Sequence, residues 1–387
     1  MVYQPQIIIV GAGVVGLSTA YALLKMGMGK VCVLEQAVVN HDRAASASLS
    51  RLLRFEYGAD LLYPHMVRLS LELWRELEQR TQRRLYTPTG ILSLGVTGDD
   101  TQRAHEIACD LGMASERLSS SACRQRFAQF ESGVYDTLTY NVQGGILHAS
   151  ACLLALKQVV LDLGGQISET CKVVRVMPAE PGKALHLQLT SGEKLAAERV
   201  VIASGPWVHR LLGGLHLPVR LTRQYLLYFS GLAPSAFGVG VFPAFMERYL
   251  YGFPIYRGSH WWLKAASHEF GRPVEPDAAV QMEEQVVAHI QRTLCELLPA
   301  LRAAQLAHIE ACIYDVSPDE DFILDFLPGD PRVVFATGLS GHGFKFGPLL
   351  GRLLGSLVCG TRPEVPLGRF QLARFARYRA RQPVSVA

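Results

Sequence analysis

Four consecutive apolar residues, Ile7-Ile8-Ile9-Val10, followed directly by Gly11, read as a strand buried on both faces. The chain then passes Gly13 and Gly16 and enters an apolar helical pattern that ends near Gly27. A second strand runs from Lys30 to Leu34 and stops at Glu35. An amphipathic helix is predicted over 63–81, with Met66, Leu69, Leu73, Trp74 and Leu77 on its apolar face. A strand at 91–94 and helices near 100–111 and 119–126 follow, and then an apolar helix over 151–163 with Ser150 as its N-cap. Strands are predicted at 172–176, 185–189, 193–197 and 199–203, the last running into Ser204-Gly205-Pro206-Trp207. From about 218 to 313 the pattern is strand-rich, with strands at 225–229, 249–251 and 261–265 and one helix over 278–298. Val333-Val334-Phe335-Ala336 is a further buried strand, and a helix is expected over 344–359.

Alternating strands and helices at the start, with a strand-rich block later, predict an α/β chain of two domains. A Rossmann-like domain would comprise 1–85, 145–216 and 316–387, and a mainly antiparallel α+β domain, inserted twice, 86–144 and 217–315. The length of 387 residues agrees with two domains.

The first stretch carries chemistry. Gly11 suits the tight turn, Gly13 lets the backbone approach a pyrophosphate, and Gly16 lets the helix pack closely on the strand, while the helix N-terminus offers N–H groups to the anion. Glu35 stands 19 residues past Gly16, where an acid meets a ribose hydroxyl. A dinucleotide site is predicted, but the fingerprint does not choose which dinucleotide. A loop of small residues, Ala44 to Ser50, precedes Arg51 and Arg54; it permits close approach to a ligand or serves as a flexible linker.

Composition narrows the partners. With 49% hydrophobic and 19% charged residues the chain is globular, and a formal charge of +4 does not imply nucleic acid. Eight scattered cysteines without a C-x-x-C pair suggest neither a metal site nor a redox dithiol, and fit a reduced, cytoplasmic setting. The uncharged run Gln6 to Leu24 imitates a membrane segment, but three glycines interrupt it and no basic residue precedes it, so a soluble protein without membrane contact is expected.

The fingerprint, the small-residue loop ending at Arg51, the turn at 203–207, and the blocks ACIYDVSPDEDFILD (311–325) and TGLSGHGFKFG (337–347) together resemble the FAD-dependent amine and amino-acid oxidases of the D-amino-acid-oxidase superfamily. Within it they resemble monomeric sarcosine oxidase and N-methyltryptophan oxidase most. The resemblance covers essentially the whole chain. It implies a glutathione-reductase-like FAD domain, and oxidation of an N-methyl or cyclic amino acid to an imine, with oxygen as the second substrate and peroxide as product, in a monomeric enzyme.

It also implies residue roles. Cys312 would carry FAD through a thioether, and Arg54 with Lys345 would clamp the substrate carboxylate. Lys264 would assist reaction with oxygen, Arg51 would be a second basic group at the flavin, and His268 and Tyr251 would be polar groups at the substrate. Gly341-His342-Gly343 before a helix would offer N–H groups and the dipole's positive end to the reduced cofactor. Further cofactor contacts are expected at Val14, Val15, Ser46, Ser50, Val174, Gly205, Trp207 and Phe344, beside Lys345. The segment with Arg257, His260, Trp261 and Trp262 is bulkier than a sarcosine-sized pocket needs, which leaves the substrate open. An amino-acid dehydrogenase serving a quinone or partner protein, a flavin-binding subunit without turnover, and an NAD enzyme are the alternatives.

Overall fold

The computed structural model describes residues 6–177 and 183–376; positions 1–5, 178–182 and 377–387, which the expected domain ranges include, lie outside the described residues. A six-stranded sheet forms around the first strand, Ile7–Val10. Val31–Leu34 and Arg199–Ile202 pair with it in parallel, one on each side. Gln166–Ser168 extends the sheet past the former, and Asp330–Thr337 past the latter, still in parallel. Ile323–Leu327 closes the edge antiparallel. Ile7, Ile8 and Ile9 are fully buried, as a central parallel strand covered on both faces should be. Helices Val14–Lys25, Ala149–Asp162 and Gly347–Cys359 pack together in one core with the sheet.

A second sheet has eight strands and is antiparallel except where Ala244–Glu247 runs parallel to Ile91–Gly95. Its longest pair, Arg220–Ser230 with Gln305–Val316, carries the second strand from the sheet's far edge toward the six-stranded sheet. Two three-stranded antiparallel sheets complete the fold, one of Ser50–Leu53, Gly145–His148 and Tyr86–Pro88, the other of Val173–Met177, Leu185–Leu189 and Lys194–Ala197.

Several elements differ from the expectation. The strand expected at 261–265 is Leu263–Ser267, because His260 and Trp261 take left-handed φ of 54° and 61° and end a turn there. The helix expected over 278–298 is Glu284–Leu297: the carbonyls of Ala278, Ala279 and Gln281 accept hydrogen bonds from Arg223 and Tyr225, and so are not available to a helix. Ser150 is not an N-cap. The helix begins at Ala149 behind His148, and the Ser150 hydroxyl donates to Asn40 and to the Ser48 carbonyl. On helix Leu62–Thr81 the buried face is centred on Met66, Val67, Ser70 and Trp74, leaving Leu69 and Leu73 half-buried. The final helix starts at Gly347 after a 3-10 turn at Phe344–Phe346. Ser50–Leu53, Ser115–Leu118, Thr137–Asn141 and Ala244–Glu247 are strands the pattern had not suggested.

Candidate active site

The first cavity, of about 290 Å³, opens at the carboxyl ends of Ile7–Val10 and Val31–Leu34, where ligands of such sheets bind. Gly11, Gly13, Val14, Val15, Glu35, Ser46, Val174, Gly205 and Trp207 line it. Gly11 has φ 103°, and a Cβ there would stand 2.5 Å from the Ala203 carbonyl oxygen. Gly16 lies behind the wall, where a Cβ would come within 1.9 Å of the Gly11 oxygen, so its absence lets the helix seat on the turn. The helix N-terminus has no side-chain cap from Gly13, and the Val14 N–H donates to Ser46 Oγ at 3.0 Å. Glu35 accepts from the backbone N–H of Ala12 at 2.8 Å and of Ala37 at 3.0 Å. Burial raises its pKa, but His41 and these two N–H groups outweigh it, and the net shift is downward, so the carboxylate stays ionised. Asp315, which sequence reasoning had passed over, also faces this cavity; burial pushes its pKa up to about 6.

The second cavity, of about 50 Å³, gathers Ser50, Arg51, Arg54, Tyr251, Lys264, His268, Cys312, Gly341, His342, Phe344 and Lys345 from chain segments almost three hundred residues apart. Gly343 sits just outside the wall against Leu339. Three segments line both cavities: 44–54, 312–315 and 336–345.

Its electrostatics are those of several cations, with the Glu56 carboxylate acting on Lys345 and the Glu310 carboxylate on Arg51 and Lys264. Arg54 stacks on the Tyr57 ring with its guanidinium carbon 4.3 Å from the centroid, and Lys345 Nζ stands 5.2 Å from the same centroid. Arg54 donates to the Glu56 carbonyl and Lys345 to the His342 carbonyl at 3.1 Å; among the described residues neither has a carboxylate partner. Burial and then Arg54 hold the Lys345 pKa well below its ordinary value. Arg51 donates to the carbonyls of Ala45, Ala47 and Ser50. His268 is pushed down to about 4 by burial and by Arg54 and Lys345, so it is neutral at pH 7. His342 is neutral too: burial depresses it, Nε2 donates to the Glu320 carbonyl, and Nδ1 accepts from Tyr57.

Lys264 is 2% exposed and donates to Ser48 Oγ at 2.7 Å and the Ser50 carbonyl at 2.9 Å. Burial, and secondarily Arg51, lower its pKa to about 7. Cys312 is a free thiol whose pKa burial raises to about 11. Neither Trp261, 55% exposed, nor Arg257 reaches this cavity; both line a separate surface groove. Of the four bulky residues expected there, these two are thus outside the pocket, while Trp262 packs beside the Tyr251 and Cys312 that line it.

Sequence reasoning missed Ser48, Tyr57, Tyr228, Glu310 and Tyr314. A signal for two of them was present: in a strand, alternate residues share a face, so Glu310 and Tyr314 had to flank Cys312. For Tyr228 and Tyr57 no local signal existed, since sheet pairing and the turn before Leu62–Thr81 bring them in.

The donor set fits a flavin dinucleotide: a glycine-bordered helix N-terminus in one cavity adjoins a cationic, aromatic second cavity through shared walls. Comparison with known proteins agrees. Residues 6–357 match the family described as FAD dependent oxidoreductase (DAO). The chain is 30% identical to the peroxisomal sarcosine oxidase of Homo sapiens over 383 residues, covering 95% of each, and 28% identical to the N-methyl-L-tryptophan oxidase of Salmonella arizonae over 96% of this chain and 99% of that one. Glycine oxidase from Geobacillus kaustophilus has the same fold, with a TM-score of 0.81 at 22% identity, covering 96% of this chain and 99% of that one.

Proposed function

This chain belongs to the DAO family of FAD-dependent oxidoreductases, and on that footing we propose that it oxidises a small N-alkyl or cyclic secondary amino acid to its imine and passes the electrons to oxygen, forming peroxide. The observation that carries this reading is the pair Arg54 and Lys345, two cations on one aromatic ring with no described carboxylate partner, facing the cavity that also holds Lys264 and Cys312. Such a pair is a seat for a carboxylate, Arg through its planar fork and Lys as a point charge. When bound, FAD supplies the acceptor for hydride.

The protein's own groups would do the rest. Gly11, Gly13, Val14, Val15, Gly16, Glu35, Ser46, Val174, Gly205 and Trp207 would hold the adenine and pyrophosphate half, and Ser50, Arg51, Gly341, His342, Gly343, Phe344 and Lys345 the reactive half. Cys312 would hold the cofactor by a thioether. In this scheme the six-stranded sheet belongs to the FAD domain (1–85, 145–216, 316–387) and the eight-stranded sheet to the substrate domain (86–144, 217–315). The neutral His268 and the Tyr251 hydroxyl would orient the substrate amine; at a pKa of about 4, His268 is too weak a base to remove its proton at pH 7. Lys264 would present its ammonium where oxygen is reduced. The separation of Trp261 and Arg257 from this cavity favours a small substrate.

Anaerobic titration with N-methyl and cyclic amino acids, following flavin absorbance, tests the reading. Bleaching by small members of the panel is expected, and peroxide should appear on admitting air. Bleaching without peroxide would instead indicate a dehydrogenase, and no bleaching by any amine would overturn the proposal.

A further inference from the structure

Lys264 is connected by a chain of hydrogen bonds to the half-buried carboxylate of Glu310. Its Nζ donates to Ser48 Oγ at 2.7 Å, Ser48 Oγ donates to Glu310 Oε2 at 3.1 Å, and the Tyr228 hydroxyl donates to the same carboxylate oxygen. Glu310 is half-buried, and its neighbour His308 is exposed. A structural ion pair would set the carboxylate directly on the ammonium. Here a hydroxyl, able both to accept and to donate, stands between them. Ser48 holds that place with φ 143°, a conformation a non-glycine residue adopts at a cost, and such strain collects at working sites.

We propose that Glu310, acting through Ser48, is a positioning residue that passes protons between solvent and Lys264 while oxygen is reduced. The inference rests on the oxidase reading. Reduction of oxygen to peroxide takes two electrons from the reduced cofactor and two protons, one of which arrives with the hydrogen taken from substrate. The other would come from Lys264: an N–H bond breaks as the oxygen's O–H bond forms. Water then protonates the Glu310 carboxylate, and the Glu310 O–H gives its proton to Ser48 Oγ as the Ser48 O–H gives its own to the amine, which restores the ammonium, the hydroxyl and the carboxylate. A lysine depressed to about 7 by burial and by Arg51, with Glu310 opposing that shift, exchanges its proton readily at neutral pH. The remaining groups facing it, Cys312, Tyr228, Tyr251 and Tyr314, all have pKa values raised by burial and stay neutral.

Glu310→Gln keeps the size of the side chain and removes its acid. In the holoenzyme, reduced by substrate or by light, the variant should react with oxygen roughly 10-fold or more slowly, with reduction by substrate little changed, and formate should restore part of the rate. Glu310→Asp should retain most of it, and Ser48→Ala should be slow with Glu310 intact. Independently of turnover, the pH midpoint at which the oxidised flavin spectrum responds to Lys264 should fall by about one unit in Glu310→Gln, since a nearby opposite charge is lost. Wild-type reoxidation and midpoint in Glu310→Gln would overturn the proposal. So would wild-type reoxidation in Ser48→Ala, or a slowing that affects both half-reactions equally and ignores formate. Failure of every amine to reduce the flavin would instead sink the oxidase reading, and the spectral midpoint would still decide whether Glu310 is coupled to Lys264.

Discussion

Two charged residues on one ring are unusual unless something negative joins them. Arg54 and Lys345 both lie against Tyr57, and burial and Arg54 together depress the Lys345 pKa. A substrate carboxylate would relieve that pressure by favouring the charged form of Lys345, which raises its pKa. Arg54→Ala should raise the half-saturating substrate concentration roughly 10- to 100-fold, as expected for loss of a charge-assisted contact, with a smaller effect on flavin content; steady-state kinetics alongside the flavin-to-protein absorbance ratio would check this. A second prediction concerns Asp315. Its carboxyl holds a proton up to about pH 6 in the folded chain against an ordinary value of 3.8. The folded pKa is raised, so the associated stability is complete below pH 4 and is lost as pH rises through 6. Asp315→Asn removes the titration. In the chain prepared without FAD, denaturant unfolding should show the variant more stable by up to about 3 kcal/mol at pH 8, with the gain disappearing at pH 3.5.

At the scale of elements, what the sequence made legible follows from how local each signal is. The strand Ile7–Val10, its glycine turn and the helix after it form one contiguous unit with its own periodicity, and they stand as expected. Strands such as Thr137–Asn141 and Ala244–Glu247 escaped because they are short and hold their place by pairing with distant partners, Ile91–Gly95 among them. The Trp261-Trp262 pair misled for a related reason: β-rich composition suggested a strand, whereas left-handed φ at His260 and Trp261 ends a turn there and turns Trp261 outward. Trp262 instead stacks on His308, with ring centroids 6.0 Å apart. The site residues were legible where they fell inside compact blocks, as Cys312 and Lys345 did, and illegible where only sheet register delivers them, as with Tyr228 opposite Lys264. Trp261→Ala should therefore leave the substrate's half-saturating concentration and the rate of flavin reduction unchanged; a marked rise in the former or fall in the latter would mean that the turn closes over the second cavity.

Across the whole molecule, one strand joins the two sheets. Gln305–Val316 begins at the edge of the eight-stranded sheet, carries Glu310, Cys312 and Tyr314 along one face, and delivers Asp315 to the first cavity. The Ser340 N–H donates to the Asp315 carbonyl at 2.8 Å, which ties the strand to the turn before the last helix. A cofactor reaching from the Gly11 turn to this strand would thus cross from one sheet to the other, and a covalent bond at Cys312 would anchor it at the end remote from its pyrophosphate. Burial, which raises the pKa of the free thiol to about 11, keeps it unreactive toward solutes. Cys312→Ser should leave FAD extractable by acid precipitation while the chain still binds it, because the first cavity and the Gly341 turn are intact in the variant. Yellow colour remaining on the precipitated wild-type chain and lost from the variant is the expected result. If FAD stays with the precipitated variant, the attachment lies elsewhere; if wild type releases it, there is no thioether and the two cavities hold the cofactor by contacts alone.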